Sequence, residues 1–279
     1  MSLMTLAAVP AVAPADVSRD LYIDLLKKSL TASLYEESGW VGTGSATTRW
    51  AKLLHRFLQR RKLAIVRTRP FDETLRREGR DWPLFGYTMA GHLRLDNLQH
   101  CVEDVLARGV PGDFIETGTW RGGSAIFMRA LLRAHGVTGR TVWVADSFEG
   151  MPPPADAADG YDYSDIGYLA VSLQQVRRNF ARFDLLDDQV KFLEGWFADT
   201  LPKAPVTQLA ILRLDGDMYS STMDALVNLY DKVSPGGYVI VDDYYSWPSC
   251  KRAVTEFLAT RRAMPEILPV DWTCAYWRV

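Results

Sequence analysis

Cysteine is scarce in this chain: Cys101, Cys250 and Cys274 are the only three among 279 residues, odd in number and without metal-ligand spacing. A disulfide framework and a zinc ribbon are thereby excluded, and reduced thiols in a cytoplasmic protein are the expectation. An excess of charge of either sign is also lacking. The formal net charge of -2 gives no electrostatic ground for binding nucleic acid or an anionic membrane. No apolar run reaches about 18 residues, so no membrane-spanning helix is expected. The apolar start, "MSLMTLAAVPAVAPADVS", has no basic segment and is interrupted by Pro10 and Pro14. Residues 1–18 therefore read as a disordered leader rather than a signal peptide.

With 48% apolar residues, the chain can bury one large core. Residues 19–109 read as N-terminal helices forming a cap, and residues 110–279 as an α/β core. Leu21, Ile23, Leu25, Leu26, Leu30 and Leu34 recur at roughly helical spacing in a first helix. After a Gly/Ser/Thr-rich break, Trp50, Leu53, Leu54, Phe57 and Leu58 fall at i, i+3, i+4, i+7 and i+8. That second helix is either a plain packed helix with a solvated basic face or a cap offering apolar surface to a bulky substrate. A third helix, "HLRLDNLQHCVEDVLARG", ends on Gly109. From residue 113 strands alternate with helices: "DFIETG", "TVWVADS", "VKFLEG", "QLAILRLDGD" and "GYVIVDD", with "CAYWRV" last. The alternation predicts a doubly wound, mostly parallel sheet.

Ligands of such sheets collect beyond the carboxyl ends of the strands. The first strand runs into "ETGTWRGGS", with Glu116, Gly118, Gly122, Gly123 and Ser124. Trp120 stands where a dinucleotide fingerprint needs glycine, and no Lys-Ser/Thr pair follows, so neither that fingerprint nor a Walker loop is present. The turn suits a nucleoside without phosphates, such as S-adenosylmethionine, or is purely structural. Asp146 ends the second strand, either accepting from ribose hydroxyls or capping the next segment. Gly195, Trp196 and Phe197 close the third strand as an apolar wall for adenine, or as ordinary core.

Two further strands end in acid: "LDGDMYSST" carries Asp215 and Asp217, and "VIVDDYYSW" carries Asp242 and Asp243. If these strands are neighbours, about 4.8 Å apart, their carboxylates converge. They must then share protons, pair with cations or ligate a metal. Arg213 is a possible partner for Asp215 but cannot neutralise the set. His55, His92, His100 and His135 lie far from these motifs, so an oxygen-binding cation, Mg²⁺, fits better than zinc. Helix capping by Asp217 and turn formation by Asp242 and Asp243 is the structural alternative.

"YTMAGHLRLDNL", "FIETGTWRGGS", "VADSFEGMPPP", "LDGDMYSST" and "VIVDDY", in this order, resemble the macrocin O-methyltransferase family from about residue 20 onwards. More distantly, the sheet portion is similar to the catechol O-methyltransferase class. The resemblance implies a Rossmann-like class I methyltransferase fold and a metal-dependent enzyme that methylates deoxysugar hydroxyls of natural-product glycosides. It also implies a homodimer. It assigns Asp215, Asp242 and Asp243 to Mg²⁺, and Glu116, Gly118, Ser124, Asp146, Thr88 and Met89 to S-adenosylmethionine. Thr119 and Ser147 are placed with them. The catechol class carries a lysine three residues after its first metal ligand; here Met218 occupies that position. Asp217 is implied as the base instead, unless it merely caps the next helix. Two other classes stay open: a DxD-type glycosyltransferase using "DGD", and a catalytically silent binding protein on the same fold. The long loop 152–168 is expected to close over the acceptor.

Overall fold

A computed structural model describes residues 14–36, 39–41, 54, 57, 58, 61, 67–154, 159, 162–164 and 166–279. Most of the expected second helix, including Trp50 and Leu53, lies outside them. The elements run α1 (Pro14–Leu30), β1 (Gly39–Val41), β2 (Arg67–Arg69), α2 (Glu73–Arg77), β3 (Trp82–Pro83), α3 (Gly91–Ala107) and β4 (Asp113–Thr117). They continue with α4 (Gly123–Ala134), β5 (Val142–Asp146), α5 (Leu173–Arg182), β6 (Val190–Glu194), α6 (Phe197–Thr200) and β7 (Leu209–Leu214). The chain closes with α7 (Tyr219–Leu229), β8 (Val233–Val241), α8 (Pro248–Ala259), β9 (Leu268–Pro269) and β10 (Ala275–Arg278). α1 begins at Pro14, inside the stretch expected as a leader; a first-turn proline suits that place because its missing N–H has no intrahelical acceptor there.

Seven strands form one sheet in the order β6-β5-β4-β7-β8-β10-β9. β6, β5, β4, β7 and β8 are parallel, and β10 returns antiparallel on β8. The chain winds outward from β4 through β5 to β6, then resumes on the other side with β7. The strand order therefore reverses between β4 and β7, which is where a doubly wound sheet opens its ligand crevice. The expected sheet is present, and its fourth and fifth parallel strands in sequence, β7 and β8, are neighbours.

Each face of the sheet has its own core. On one side Ile23, Leu26 and Leu30 of α1 and Leu95, Leu98 and Val102 of α3 enclose α4, whose residues Gly123 to Leu132 are all buried. On the other, Leu226 and Leu229 of α7 and Val254 and Phe257 of α8 cover Leu212 and Val239. α1 and α3 thus share a core with the sheet. β1, β2 and β3 form a separate antiparallel sheet that sequence periodicity did not reveal. β8 starts at Val233 rather than after the "SPGG" turn. Leu209 pairs with Val233 and Ile211 with Tyr238, so the extra residues bulge inside the strand. All three cysteines are free and buried. Among the described residues, no helix is long and apolar enough to cross a membrane.

Candidate active site

The carboxyl ends of β4, β5 and β7 open into a cavity of about 340 Å³. Of the residues singled out in the sequence, Met89, Gly118, Asp146, Ser147, Trp196 and Phe197 line it, and so do Asp215 and Asp217. Trp120, Met151, Pro152, Leu169, Ser220 and Ser221 complete much of the wall. Gly118 sits where β4 and β7 nearly touch: at φ +87°, a Cβ there would lie 1.8 Å from the Asp215 carbonyl oxygen. Only glycine allows that approach.

Asp146 organises the turn above β4. Its carboxylate accepts from the backbone N–H of Thr119 at 2.7 Å and of Phe148 at 2.7 Å. Burial raises its pKa, opposed by those N–H groups. Both readings of Asp146 are therefore compatible with its position, since it braces its own loop and also lines the cavity. Thr119 Oγ1 donates to Glu116 at 2.9 Å. Glu116 itself is buried beneath the cavity rather than lining it, and Arg213 Nη1 donates to it at 2.7 Å. Thr88 and Ser124 are buried side by side, their hydroxyls 3.4 Å apart, and Gly195 lies under the β5 end with its N–H on the Asp146 carbonyl at 2.9 Å.

The four aspartates do converge. Asp215, Asp242 and Asp243 each bring one oxygen within 4.8 Å of the others. Arg213, on β7, donates to Asp215 at 2.7 Å and also to Asp242. A second guanidinium, Arg94 of α3, reaches Asp242 from 148 residues away and was missed in the sequence. Its signal was present. Gly91, Arg94, Leu95, Leu98, Cys101, Val102 and Val105 form the buried stripe of α3, so the arginine stands on an apolar face.

Even two arginines leave acid in surplus. Glu116, Asp215, Asp217, Asp242, Asp243 and Asp271 surround Arg94 and Arg213. Burial, and then the Asp215 charge, push the Asp217 carboxyl up to about 7; a hydrogen bond with Asp243 opposes them. Two carboxyls in that contact share a proton. Burial and the Asp217 charge likewise hold Asp243 well above the usual carboxylate range. Burial raises Glu116 to about 7 despite Arg213. Asp217 carries no helix cap. It has a left-handed backbone (φ 56°), Met218 is the N-cap of α7 without a side-chain bond, and the first helical N–H, at Tyr219, donates to Asp159 at 2.7 Å.

The donor set fits a hard divalent cation. All its atoms are carboxylate oxygens, they carry excess negative charge, and Asp243 Oδ2 is buried without a hydrogen-bond partner among the described residues. Asp242 would contribute through a lone pair left over from its two arginine contacts.

Comparison with known proteins identifies the family. Residues 19–279 match the family model for macrocin O-methyltransferase. The chain is 48% identical over 265 residues to demethyldecarbamoylnovobiocin O-methyltransferase of Streptomyces niveus, covering 92% of this chain and 93% of that one. It is 49% identical over 270 residues to 8-demethyl-8-(2,3-dimethoxy-alpha-L-rhamnosyl)-tetracenomycin-C 4'-O-methyltransferase of Streptomyces olivaceus, covering 94% and 93%. The solved structure of the O-methyltransferase NovP superposes with a TM-score of 0.79 at 46% identity, covering 93% of this chain and 98% of that one. The glycosyltransferase reading of "DGD" is left without support. The chain belongs to the macrocin O-methyltransferase family.

Proposed function

We propose that the protein transfers a methyl group from S-adenosylmethionine to a sugar hydroxyl of a natural-product glycoside, with Mg²⁺ held by Asp215, Asp242 and Asp243. The observation that carries this reading is that Asp215 and Asp217 form the floor of the same cavity whose wall holds Asp146, Trp196 and Phe197. A donor seated at Asp146 and an acceptor hydroxyl at Asp217 would then meet in one enclosed space. The relative named above as a rhamnosyl-tetracenomycin-C 4'-O-methyltransferase supports the acceptor class.

When bound, the donor supplies an electrophilic methyl group and the cation supplies Lewis acidity that makes a hydroxyl easier to deprotonate. The protein's own residues do the rest. Asp146 and Ser147 orient the donor's ribose, with Trp196 and Phe197 walling the adenine. Asp217, on the lining of the cavity, accepts the hydroxyl proton as the new bond forms. Trp120, Met151, Pro152 and Leu169 keep water from the reacting atoms. In this reading the protein acts as a homodimer in the cytoplasm, and the exposed Val17, Leu21 and Leu25, four residues apart along α1, support the dimer. Light scattering checks the dimer.

The test incubates demethylated glycosides with protein, donor and Mg²⁺ and reads the products by mass spectrometry, with and without chelator. A mass gain of one methyl group that vanishes in EDTA and returns with Mg²⁺ is expected. Full turnover in chelator would remove the metal from the proposal.

A further inference from the structure

Arg94 connects three parts of the molecule that are far apart in sequence. Its Nη1 donates to Asp242 at the end of β8, and its Nε lies 3.1 Å from Asp271 Oδ2 between β9 and β10. Its Nη2 donates to the carbonyls of Gly79 at 3.0 Å and Met89 at 3.1 Å. The backbone is shaped to admit it. Gly79 has φ +63°, and a Cβ there would lie 2.2 Å from Arg94 Nη2; a Cβ on Gly91 would lie 2.4 Å from the Gly79 nitrogen. Met89 lines the donor cavity, while Asp242 belongs to the acidic cluster. One buried fork therefore touches both halves of the site.

We infer that Arg94 is a positioning residue: its guanidinium fixes Asp242 against the cluster and, through the Met89 carbonyl, fixes the wall of the donor cavity, so that one side chain sets the two subsites in register. The inference rests on the proposed donor and metal reading and goes beyond it, because Arg94 neither lines the cavity nor belongs to the carboxylate set. Only a planar guanidinium can serve the three hydrogen-bond acceptors and the Asp271 ion pair together. A lysine ammonium at the same place keeps the charge but, as a point donor on a flexible stem, cannot hold them in fixed geometry. Arg94→Lys therefore separates geometry from charge. Removing the charge altogether would mix lost positioning with a gain in attraction for any cation.

The test measures, by calorimetry, the affinity of the intact protein for Mg²⁺ and separately for S-adenosylhomocysteine. The control is Arg129→Lys. Arg129 is also buried and bidentate, to Asp187 at 3.0 and 2.5 Å, but that pair lies just before β6, at the opposite edge of the sheet. Arg94→Lys is expected to weaken Mg²⁺ by about tenfold or more, the usual effect of losing a partner that orients a metal ligand, and to weaken S-adenosylhomocysteine by about threefold or more. Arg129→Lys should lower Tm by a similar amount and leave both affinities within about twofold of wild type. Wild-type affinity of Arg94→Lys for both ligands, or equal losses in Arg129→Lys, overturns the inference. If the wild type binds S-adenosylhomocysteine but no Mg²⁺, the metal reading falls and the homocysteine arm alone decides on Arg94. Should Arg94→Lys fail to fold, Asp271→Asn loosens the guanidinium on one side. It should weaken Mg²⁺ about threefold or more, and unchanged binding overturns the inference.

Discussion

Two buried ionic clusters in this molecule differ in their arithmetic. Between α2 and β3, Arg76 Nε meets both oxygens of Asp81 at 3.0 and 2.8 Å, and its Nη1 also donates to the Thr31 and Ala32 carbonyls at 2.8 and 3.2 Å. There, among the described residues, one carboxylate meets the guanidinium directly. At the carboxyl ends of β7 and β8, Arg94 and Arg213 face a larger set of acids, and Asp217, Asp243 and Glu116 are all pushed upward by burial. A balanced pair is a fastening. An unbalanced one is unstable by construction and is stabilised by whatever brings positive charge, protons or a cation. The contrast predicts opposite responses to mutation in the two regions.

The largest effect is expected at the unbalanced cluster and in the rate. Asp217→Asn keeps the shape of the side chain but cannot accept a proton, so kcat should fall by roughly 10²–10⁴ while calorimetry shows donor and metal binding unchanged. Near-wild-type kcat would return Asp217 to a purely structural role. A loss of Mg²⁺ binding in Asp217→Asn would make it a ligand.

Next comes stability, where the two clusters should part in sign. Asp81→Ala strands a buried guanidinium and should destabilise the protein by about 3–5 kcal/mol. Asp243→Asn removes a carboxylate from a crowded set, so the metal-free protein should keep or gain Tm while losing Mg²⁺ affinity. Denaturant melts of both variants in chelator check this. A loss for Asp243→Asn as large as that for Asp81→Ala would show the acid cluster to be a fastening as well.

A pH series sharpens the same contrast. Glu116 and Asp217 lie at about 7 in the folded metal-free protein, against ordinary values of 4.5 and 3.8. A folded-state pKa above the unfolded one means that the native state binds more protons between the two values. The stabilisation is therefore complete below about pH 4 and is lost as pH rises through about 7. Tm in chelator should fall from pH 5.5 to 8, with His92, whose pKa burial lowers, opposing it as a single group. Mg²⁺ should flatten the fall, and Asp217→Asn should remove part of it. A metal-free Tm that is flat or rising over this range contradicts the surplus.

What the sequence revealed follows the same division. β4 to β8 announced themselves because each, at five or more residues, carries an apolar segment that runs into acid or glycine, and parallel neighbours had to bring those ends together. The acids were legible as a surplus; their arginine partners were not. Arg94 and Asp242 are 148 residues apart, and no periodicity links them. The bulge in β8 was hidden because Pro235 and two glycines read as a turn, and β1, β2, β3 and β9 are too short, at two or three residues, to carry a period. Asp159 was one acid in a polar loop, with nothing to mark it as the partner of a helix 60 residues on.

Asp159 yields the smallest predicted effect. It is buried, and its carboxylate takes the Tyr219 N–H at 2.7 Å, the bond that a residue at the start of α7 would ordinarily supply. Tyr163, four residues on, lies with its ring centroid 5.1 Å from that of Trp247, so the loop is fastened to α7 and to the entry of α8. Losing a side-chain cap costs about 0.5–2 kcal/mol. That cost can fall on the helix or on the loop. Ala225, Leu226 and Leu229 hold α7 in the core whatever happens at its first turn, so the loop should release instead. Asp159→Ala should then raise the acceptor KM by about two- to thirtyfold, the same energy expressed as affinity, with Tm nearly unchanged. Asp159→Asn retains an acceptor oxygen and should stay close to wild type. A Tm loss of several degrees with an unchanged KM would place the bond with the Arg76–Asp81 pair, as a fastening of the fold rather than of the segment around Asp159 and Tyr163.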